Sequence, residues 1–361
     1  ARPVEGRHAD IIGRINGLGC PVLAVDIPSG LDSDTGRVLG AAVRATRTVT
    51  FLALKPGLLT LDGPDHCGDL RIADLEVDVG APEGRLVTTD LFRPLLRPRL
   101  RNSHKGSFGS AGILGGSPGM AGAALLAGRA ALKLGAGRVY VGMLERLAVD
   151  PLQPELMLRA ADEVFGLATV LAIGPGLGRG KPATELLRRA VDADLPLAVD
   201  ADGINLLAEH PVLGRRLARR QAPTILTPHP AEAARLLATD TDAVQADRLA
   251  AALELAGRYR AHVALKGCGT IVAAPDGAWF INANGNPGLA SAGTGDVLSG
   301  LVAALLAQGW PALEALLGAV HLHGAAADAL AAQGIGPVGL AAGELIDRAR
   351  SVFNGWIAAG G

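Results

Sequence analysis

Residues 286–300 read NPGLASAGTGDVLSG, a run of small residues around one acid, Asp296, that continues into an apolar pattern typical of a buried helix. Gly293, Thr294 and Gly295 come just before that acid. The start of a helix leaves backbone N–H groups unpaired and favours negative charge. Because glycine lets an anion approach the backbone closely, the stretch predicts an anion hole at this helix start.

Two roles are open for Asp296. Aspartate is a favoured residue for capping a helix N-terminus, which is a purely structural role. The alternative is a general base that acts beside a phosphoryl group held in the anion hole. We favour the base, because small residues precede Asp296 and two further loops upstream resemble phosphate-binding loops.

The stronger of these loops is LKGCGT, residues 265–270, which follows a predicted strand and combines Lys266 with Gly267 and Gly269. Backbone amides together with an ammonium group suit a nucleotide phosphate. An ordinary glycine hairpin with a solvated lysine is the structural alternative. The second loop, GPGLGRG at 174–180, lacks the lysine and Ser/Thr of a Walker A motif, and a tight turn explains it almost as well.

Two more strings combine turn residues with chemically active side chains. In TPHPAEAARLL, a helix start accounts for the proline and for Glu232, whereas His229 has no structural explanation from the string alone. In VDADGINLL, Asp200 and Asp202 follow a predicted strand. They either form a polar turn or help to hold Mg²⁺ through water.

Composition excludes several classes of protein. The formal net charge is −1, so no overall field recruits nucleic acid or an anionic membrane. The three cysteines, Cys20, Cys67 and Cys268, are far apart, which argues against a disulfide framework and a zinc site. Glycine and charged residues interrupt every apolar run, so no membrane span is expected. We expect a cytoplasmic protein.

Predicted strands alternate with helical stretches along most of the chain, which predicts an α/β fold with a mostly parallel sheet and helices on both faces. In such sheets the ligand lies beyond the carboxyl ends of the strands, where the suspect turns fall. The predicted strands and strand-containing stretches are 21–27, 47–54, 69–77, 110–116, 138–143, 170–178, 195–210, 222–237 and 261–282, and the clearest helix is 121–137.

Taken together, HKGSFGSAGILGGSPGMAG, GPGLG, VDADGINLL, TPHPAEAARLL, LKGCGT and NPGLASAGTGDVLSG occur in the order seen in the ADP/ATP-dependent NAD(P)H-hydrate dehydratase family. The chain resembles that family over about residues 100–350, which implies a ribokinase-like fold. The upstream strings PVLAVDIPSGLDSDTG and ATRTVTFLALKPGLL resemble the later part of an NAD(P)H-hydrate epimerase domain. We therefore expect a partial, Rossmann-like epimerase domain at 1–85, a Pro- and Arg-rich linker at 86–103, and a dehydratase domain at 104–361.

The resemblance implies a repair reaction. NADH or NADPH that has been hydrated on the nicotinamide ring is dehydrated with ADP, which yields the reduced cofactor, AMP and phosphate. The ring hydroxyl is a poor leaving group, and transfer of a phosphoryl group makes it a good one. The resemblance implies Asp296 as the base, amides of 293–295 as the anion hole, and Mg²⁺ as a neutralising ion.

The resemblance also assigns ligand contacts. The hydrated cofactor would contact Ala123, Gly178, His229 and Asp296, and Glu232 would organise Mg²⁺ and phosphate indirectly. The AMP portion would be lined by Lys266, Gly267, Cys268, Gly269, Thr270 and Gly295.

In the upstream block, Asp26 matches the epimerase residue that contacts the hydrated cofactor, and Ser29 matches a potassium ligand. A capped turn made by DIPSG is the structural alternative. The Asn/Gly-rich loop and the second acidic potassium ligand of that family have no counterpart before Pro21. We therefore expect a truncated epimerase domain without epimerase activity in this chain.

Two other functions compete with the dehydratase. A ribokinase-like kinase of a small alcohol would use the same anion hole and base but would release a stable phosphorylated product. A non-catalytic nucleotide-binding module would bind nucleotide and turn nothing over. For partners we expect small-molecule substrates and a homo-oligomer, without nucleic acid or membrane.

Overall fold

The computed structural model describes residues 2–78 and 80–360, which form fourteen helices and thirteen strands. The strands are β1 (Leu23–Val25), β2 (Arg47–Phe51), β3 (Asp69–Ala73), β4 (Gly84–Leu86), β5 (Ser110–Gly115), β6 (Arg138–Met143), β7 (Met157–Ala160), β8 (Val170–Ile173), β9 (Leu197–Val199), β10 (Thr224–Leu226), β11 (His262–Leu265), β12 (Thr270–Ala273) and β13 (Trp279–Asn282). The helices are α1 (Arg7–Asn16), α2 (Pro56–Leu59), α3 (Gly63–Cys67), α4 (Ala121–Lys133), α5 (Ala161–Val164), α6 (Lys181–Asp192), α7 (Ala201–Glu209), α8 (Pro211–Leu217), α9 (Pro230–Leu237), α10 (Thr241–Ala246), α11 (Arg248–Tyr259), α12 (Thr294–Ala307), α13 (Ala312–Ala331) and α14 (Ala342–Gly360).

The N-terminal unit contains a small parallel sheet in the order β1-β2-β3. Its apolar cluster is small and consists of Leu31, Leu58 and Cys67 with a few partly buried neighbours. Leu59, at the end of α2, packs against both this core and a core of the larger unit. The two units are therefore in direct contact.

The larger unit is built on a ten-stranded sheet in the order β4-β13-β12-β11-β10-β9-β8-β5-β6-β7. The run from β11 to β7 is parallel throughout, and β12 is antiparallel to both β11 and β13. The mostly parallel α/β sheet predicted from the sequence is thus confirmed. The carboxyl ends of its parallel strands share one edge, and the candidate site lies there.

Two apolar cores cover the faces of this sheet. One face packs against α4, α12, α13 and α14, and the other against α6 to α9 and α11. Helix α12 is buried along most of its length, as its apolar sequence predicts. Burial of α12 fixes the position of its N-terminus, which carries Asp296.

The segment 86–103, predicted to be a linker, differs from that expectation. Strand β4 pairs with β13 at the sheet edge, and Val87, Phe92 and Leu96 are buried in the core of the larger unit. The Phe92 ring lies 5.9 Å from that of Trp310. Pro- and Arg-rich composition suggested an exposed connection, but the apolar residues between the prolines and arginines pack the segment against the larger unit.

No helix within residues 2–78 and 80–360 has the length and apolar character needed to cross a membrane. The three cysteines are free thiols, and Cys67 is the buried one.

Candidate active site

Four neighbouring parallel strands end at the same edge of the large sheet, and each is followed by a residue singled out from the sequence. Gly174 follows β8, Asp200 follows β9, the turn before His229 follows β10, and Lys266 follows β11. The order β8-β9-β10-β11 in the sheet places these turns side by side. The site is therefore assembled by the topology from distant parts of the sequence.

Lys266 and Asp200 form the central ion pair of this edge. The Lys266 Nζ lies 2.7 Å from Asp200 Oδ1 and 3.9 Å from Glu232 Oε2. Asp200 is almost fully buried and also accepts a hydrogen bond of 2.7 Å from Ser299 Oγ on α12. Burial opposes the charge of Lys266, but Asp200 and Glu232 raise its pKa above the ordinary value, so the ammonium stays protonated.

His229 and Glu232 form a reciprocal cap at the start of α9. The His229 Nδ1 accepts from the backbone N–H of Ala231 and of Glu232, and a Glu232 carboxylate oxygen accepts from the His229 N–H at 2.8 Å. The second ring nitrogen, Nε2, lies 3.3 Å from Glu232. The structure thus supplies the structural role for His229 that the sequence left open.

These two side chains also have shifted pKa values. Burial, together with the charges of Lys266 and Arg235, lowers the pKa of His229, which is therefore neutral near pH 7. Burial is also the main cause that raises the pKa of Glu232. The cap therefore places a neutral imidazole, and a carboxyl group whose charge is disfavoured by burial, beside the positive Lys266.

Helix α12 begins with unpaired backbone donors. Gly293 is the N-cap residue with φ of 90°, and no side chain caps the helix. Within the described residues, the N–H groups of Gly293, Gly295 and Asp296 find no acceptor, whereas the Val297 N–H bonds to the Gly293 carbonyl at 3.1 Å. This is the arrangement of a helix-start anion site.

Asp296 lies in the first turn of α12, and the part of the chain that the structure describes offers its carboxylate no hydrogen-bond donor. It therefore does not act as a helix cap. Burial and the negative charge of Asp200 raise its pKa to about 6, although Lys266 acts in the opposite direction. An unbonded carboxylate with a pKa near neutrality has the properties of a general base.

The loop from Lys266 to Gly269 connects the antiparallel strands β11 and β12, so it is a hairpin. Its lysine is paired with Asp200, whereas the structural alternative required a solvated lysine. Its two glycines have φ of +148° and +63°, values that other residues rarely adopt. Among the described residues, no acceptor is within reach of the N–H groups of Gly267, Cys268 and Gly269. These donors remain available to a ligand.

The loop and the helix start lie next to each other. A Cβ atom built on Gly295 would lie 3.6 Å from Lys266 Nζ and 3.7 Å from Asp200 Oδ2. Thr270, the first residue of β12, donates its hydroxyl to the Gly267 carbonyl at 3.2 Å. The structure thus brings together Lys266, Gly295 and Asp296, as the sequence interpretation requires.

Ala123 and Gly178 lie on a neighbouring rim. A Cβ on Gly176 would lie 3.0 Å from the Ala123 side chain, and one on Gly178 would lie 3.2 Å from Ser117 Oγ. The Gly178 N–H donates to Asp202 at 2.8 Å. Asp200 and Asp202 therefore both serve as partners of protein groups, rather than as a free pair of magnesium ligands.

A magnesium ion at this site would need oxygen ligands from the protein or from a bound nucleotide. No three His, Cys, Asp or Glu side chains within 2–78 and 80–360 are arranged to hold a metal ion. Mg²⁺ is commonly held by one or two carboxylates together with substrate phosphates and water. Buried Glu232 and the phosphates of a bound nucleotide fit that pattern.

The N-terminal unit contains a separate polar cluster. Asp26, with φ of 69°, accepts from Lys55 Nζ, from the Phe51 N–H at 3.0 Å and from Thr50 Oγ1 at 3.3 Å. The bond from Lys55 is the main cause that lowers the pKa of Asp26. Ser29 is exposed nearby in sequence, and its carbonyl accepts from the Val43 N–H at 2.9 Å.

Sequence reasoning missed Lys55, Ser299 and Arg248. Lys55 ends an apolar run and Ser299 lies inside an apolar helix, so each is a polar residue at a position predicted to be buried. That pattern is the signal that could have selected them. Nothing in the local sequence of Arg248 marks it.

Comparisons with known proteins match both units of the chain. Residues 111–349 match the family model described as NAD(P)H-hydrate dehydratase, and residues 1–57 match the model described as YjeF-related protein N-terminus. The bifunctional NAD(P)H-hydrate repair enzyme of Coxiella burnetii is 40% identical over 97% of this chain and 73% of its own length. That of Escherichia coli is 40% identical over 96% of this chain and 68% of its own length.

Among solved structures, an ADP/ATP-dependent NAD(P)H-hydrate dehydratase from Bacillus subtilis, co-crystallized with ATP/Mg²⁺, is 32% identical with a TM-score of 0.66. The match covers 76% of this chain and 100% of that one. A ribokinase-like superfamily protein from Enterococcus faecalis matches with a TM-score of 0.67 at 26% identity, over 78% of this chain and 99% of its own. The ribokinase-like fold is thereby confirmed, and the chain belongs to the NAD(P)H-hydrate dehydratase family.

Proposed function

We propose that this chain dehydrates the S form of hydrated NADH or NADPH with ADP, and releases the reduced cofactor, AMP and phosphate. The observation that carries the proposal is the free carboxylate of Asp296 beside unpaired amides at the start of α12. The names of the bacterial relatives and of the Bacillus subtilis structure supply the substrate class.

The nucleotide is proposed to lie over the hairpin loop. Its AMP portion would contact residues 266–270 and Gly295, and the free N–H groups of the loop support this placement. Lys266 supplies a fixed positive charge next to α12. Mg²⁺, bound to the phosphates with Glu232 behind it, would neutralise their oxygens.

The hydrated nicotinamide is proposed to lie against Asp296, with Ala123, Gly178 and His229 as its further contacts. The neutral His229 cap and the rim around Gly178 lie at the edge of the sheet where α12 begins. Such a pose would direct the ring hydroxyl toward the base and toward the phosphoryl group.

The chemistry balances in two steps. Asp296 takes the proton of the ring hydroxyl while the hydroxyl oxygen bonds to the β-phosphorus of ADP. At the same time, the bond between that phosphorus and the AMP oxygen breaks, and AMP leaves. The C–O bond of the phosphorylated ring then breaks and phosphate leaves with the bonding electrons. The neighbouring ring carbon gives a proton to water, and the electrons of its C–H bond form the restored double bond. Amides at 293–295 would stabilise the negative charge of the transferring group.

In the N-terminal unit, Asp26 is proposed to contact hydrated cofactor and Ser29 to bind potassium. The Lys55 ammonium, which keeps Asp26 ionised, supports a binding role for that carboxylate. A cytoplasmic location and a homo-oligomer, both expected from the sequence, stay predictions.

The test is incubation of the chain with S-NADHX, ADP and Mg²⁺, while reduced nicotinamide and AMP are measured together. The proposal predicts equal amounts of the two products. A stable phosphorylated product without reduced nicotinamide would favour a small-alcohol kinase instead. ADP binding without either product would favour a non-catalytic module.

A further inference from the structure

The hairpin loop proposed to bind the nucleotide is held from behind by both units of the chain. Arg248, the first residue of α11, is 3% exposed. Its guanidinium donates to the carbonyls of Leu265 and Cys268 and to Thr60 Oγ1 in the N-terminal unit. The buried guanidinium is thus hydrogen-bonded to two neutral carbonyl oxygens, those of Leu265 and Cys268, and to the Thr60 hydroxyl. The position of the loop therefore depends on the position of this side chain.

The N-terminal unit makes its own contacts with the loop. The Thr60 hydroxyl donates to the Cys268 carbonyl at 3.1 Å, and the Leu61 N–H donates to the same oxygen at 3.2 Å. Thr60 is 2% exposed, so its hydroxyl is shielded from water. Three donors from two units therefore converge on one carbonyl of the loop.

The two loop glycines fit closely against the same support. A Cβ on Gly267 would lie 2.7 Å from Arg248 Nη2, and a Cβ on Gly269 would lie 2.0 Å from the Leu59 carbonyl oxygen. These glycines are therefore required for contact with Arg248 and Leu59 as well as for the turn. The carbonyl of Cys268 faces this support, while the three N–H groups of the loop stay unpaired.

We infer that Thr60 of the N-terminal unit, together with Arg248 of the larger unit, positions the nucleotide loop, so that affinity for ADP depends on residues outside the nucleotide site. The inference rests on the proposed function for its ligand. Thr60 and Arg248 are positioning residues, because they act on the nucleotide through the carbonyl of Cys268.

The test compares Thr60→Val with Thr60→Ser and with a control at Thr48. Thr48 lies in β2 of the small sheet and is also buried. Its hydroxyl donates to the Cys67 carbonyl at 2.7 Å. Thr48→Val therefore removes a comparable hydrogen bond in the same unit without changing a contact of the loop. The full chain is used, and calorimetry with ADP and Mg²⁺ is run beside steady-state kinetics.

We expect Thr60→Val to weaken ADP binding by up to about tenfold, the upper end of the net contribution of one hydrogen bond between neutral groups. The KM for ADP should rise by a similar factor, while kcat and the KM for S-NADHX change by less than about twofold. Thr60→Ser should keep the ADP affinity of the wild-type chain. Thr48→Val should lower stability without changing ADP affinity. Arg248→Met should weaken ADP binding further, and adding Thr60→Val to it should have little extra effect.

Unchanged ADP affinity in Thr60→Val, or an equal loss in Thr48→Val, would overturn the inference. These outcomes can be separated from a failure of the proposed function. If the wild-type chain binds ADP but makes no reduced nicotinamide, the dehydratase proposal fails, while the comparison of ADP affinities still decides the role of Thr60. If the chain binds no ADP, both proposals fail.

Discussion

The ammonium of Lys266 lies 2.7 Å from the carboxylate of Asp200, and this pair connects the ends of two strands that are separated along the sheet by β10. Asp200 also holds Ser299 of α12, so the pair links the hairpin loop to the helix that carries Asp296. The pair therefore connects to the helix of Asp296, the proposed base, and its two charges act in opposite directions on the pKa of Asp296.

Replacing Lys266 tests this link. Lys266→Met leaves Asp200 as a buried charge without its counter-ion, so we expect a loss of about 3 kcal/mol or more in the free energy of unfolding. The added change Asp200→Asn should restore much of that stability without restoring ADP binding. Urea unfolding and calorimetry measure the two effects. If Lys266→Met alone were as stable as the wild-type chain, the ion pair between Lys266 and Asp200 would not have the proposed role.

The base itself is tested by Asp296→Asn. The carboxylate accepts no hydrogen bond from the described residues, so the variant should fold and bind ADP normally. Turnover should fall by about 100-fold to 10,000-fold, the range typical of a lost general base. Reduced nicotinamide and AMP are followed together. If the variant keeps more than about a tenth of wild-type turnover, Asp296 is not the base.

The pH dependence follows from the raised pKa of Asp296, about 6. Below that pKa the carboxyl is protonated and cannot take the hydroxyl proton, so kcat/KM should fall as the pH drops below about 6. Because Lys266 lowers this pKa, Lys266→Met should move the acid limb to higher pH. A limb near the ordinary pKa of aspartate, or one that does not move, would contradict this assignment.

The same raised pKa predicts an effect on stability. The folded chain binds the Asp296 proton more tightly than the unfolded chain, so this group destabilises the fold increasingly as the pH rises from the ordinary aspartate pKa through about 6. Asp296→Asn should therefore be more stable than wild type at pH 7 and lose that advantage near pH 4. Thermal unfolding of both chains at pH 7 and pH 4 measures this difference in stability. An equal difference at both pH values would count against burial as the cause of the raised pKa of Asp296.

Gly295 tests the anion site. A Cβ there would meet Lys266 and Asp200 only at ordinary contact distances, and φ is unstrained, so Gly295→Ala should fold normally. The added methyl group would nevertheless stand where an anion approaches the helix start, and ADP affinity should fall about tenfold or more. Gly355→Ala, at an open position in α14, is the matched helix control. Both changes should leave stability equal or raise it by up to about 1 kcal/mol.

Strands and turns were predictable because their signals are local. The apolar run of 138–143 coincides with β6, and the small residues before Asp296 mark the start of α12 within one residue. The loop at Lys266 was also predictable as a glycine turn beside a charge. In each of these cases, the signal is carried by residues that are neighbours in the sequence.

What the sequence did not predict depends on contacts between distant residues. Arg248 lies 188 positions from its hydrogen-bond partner Thr60, and Ser299 lies 99 positions from Asp200. His229 has a cap role that is visible only once the ring orientation is known. Segment 86–103 is polar by composition, and its packing depends on a few buried residues such as Phe92.

In the proposed reaction, the ring hydroxyl oxygen attacks ADP before it leaves the ring, and Asp296 is its base. The most direct measurement uses S-NADHX that carries a heavy oxygen isotope in that hydroxyl, with ADP and Mg²⁺, and determines by mass spectrometry where the label ends. The account predicts that the label is found in the released phosphate. Labelled water together with unlabelled phosphate would contradict it, because ADP would then be hydrolysed separately from dehydration.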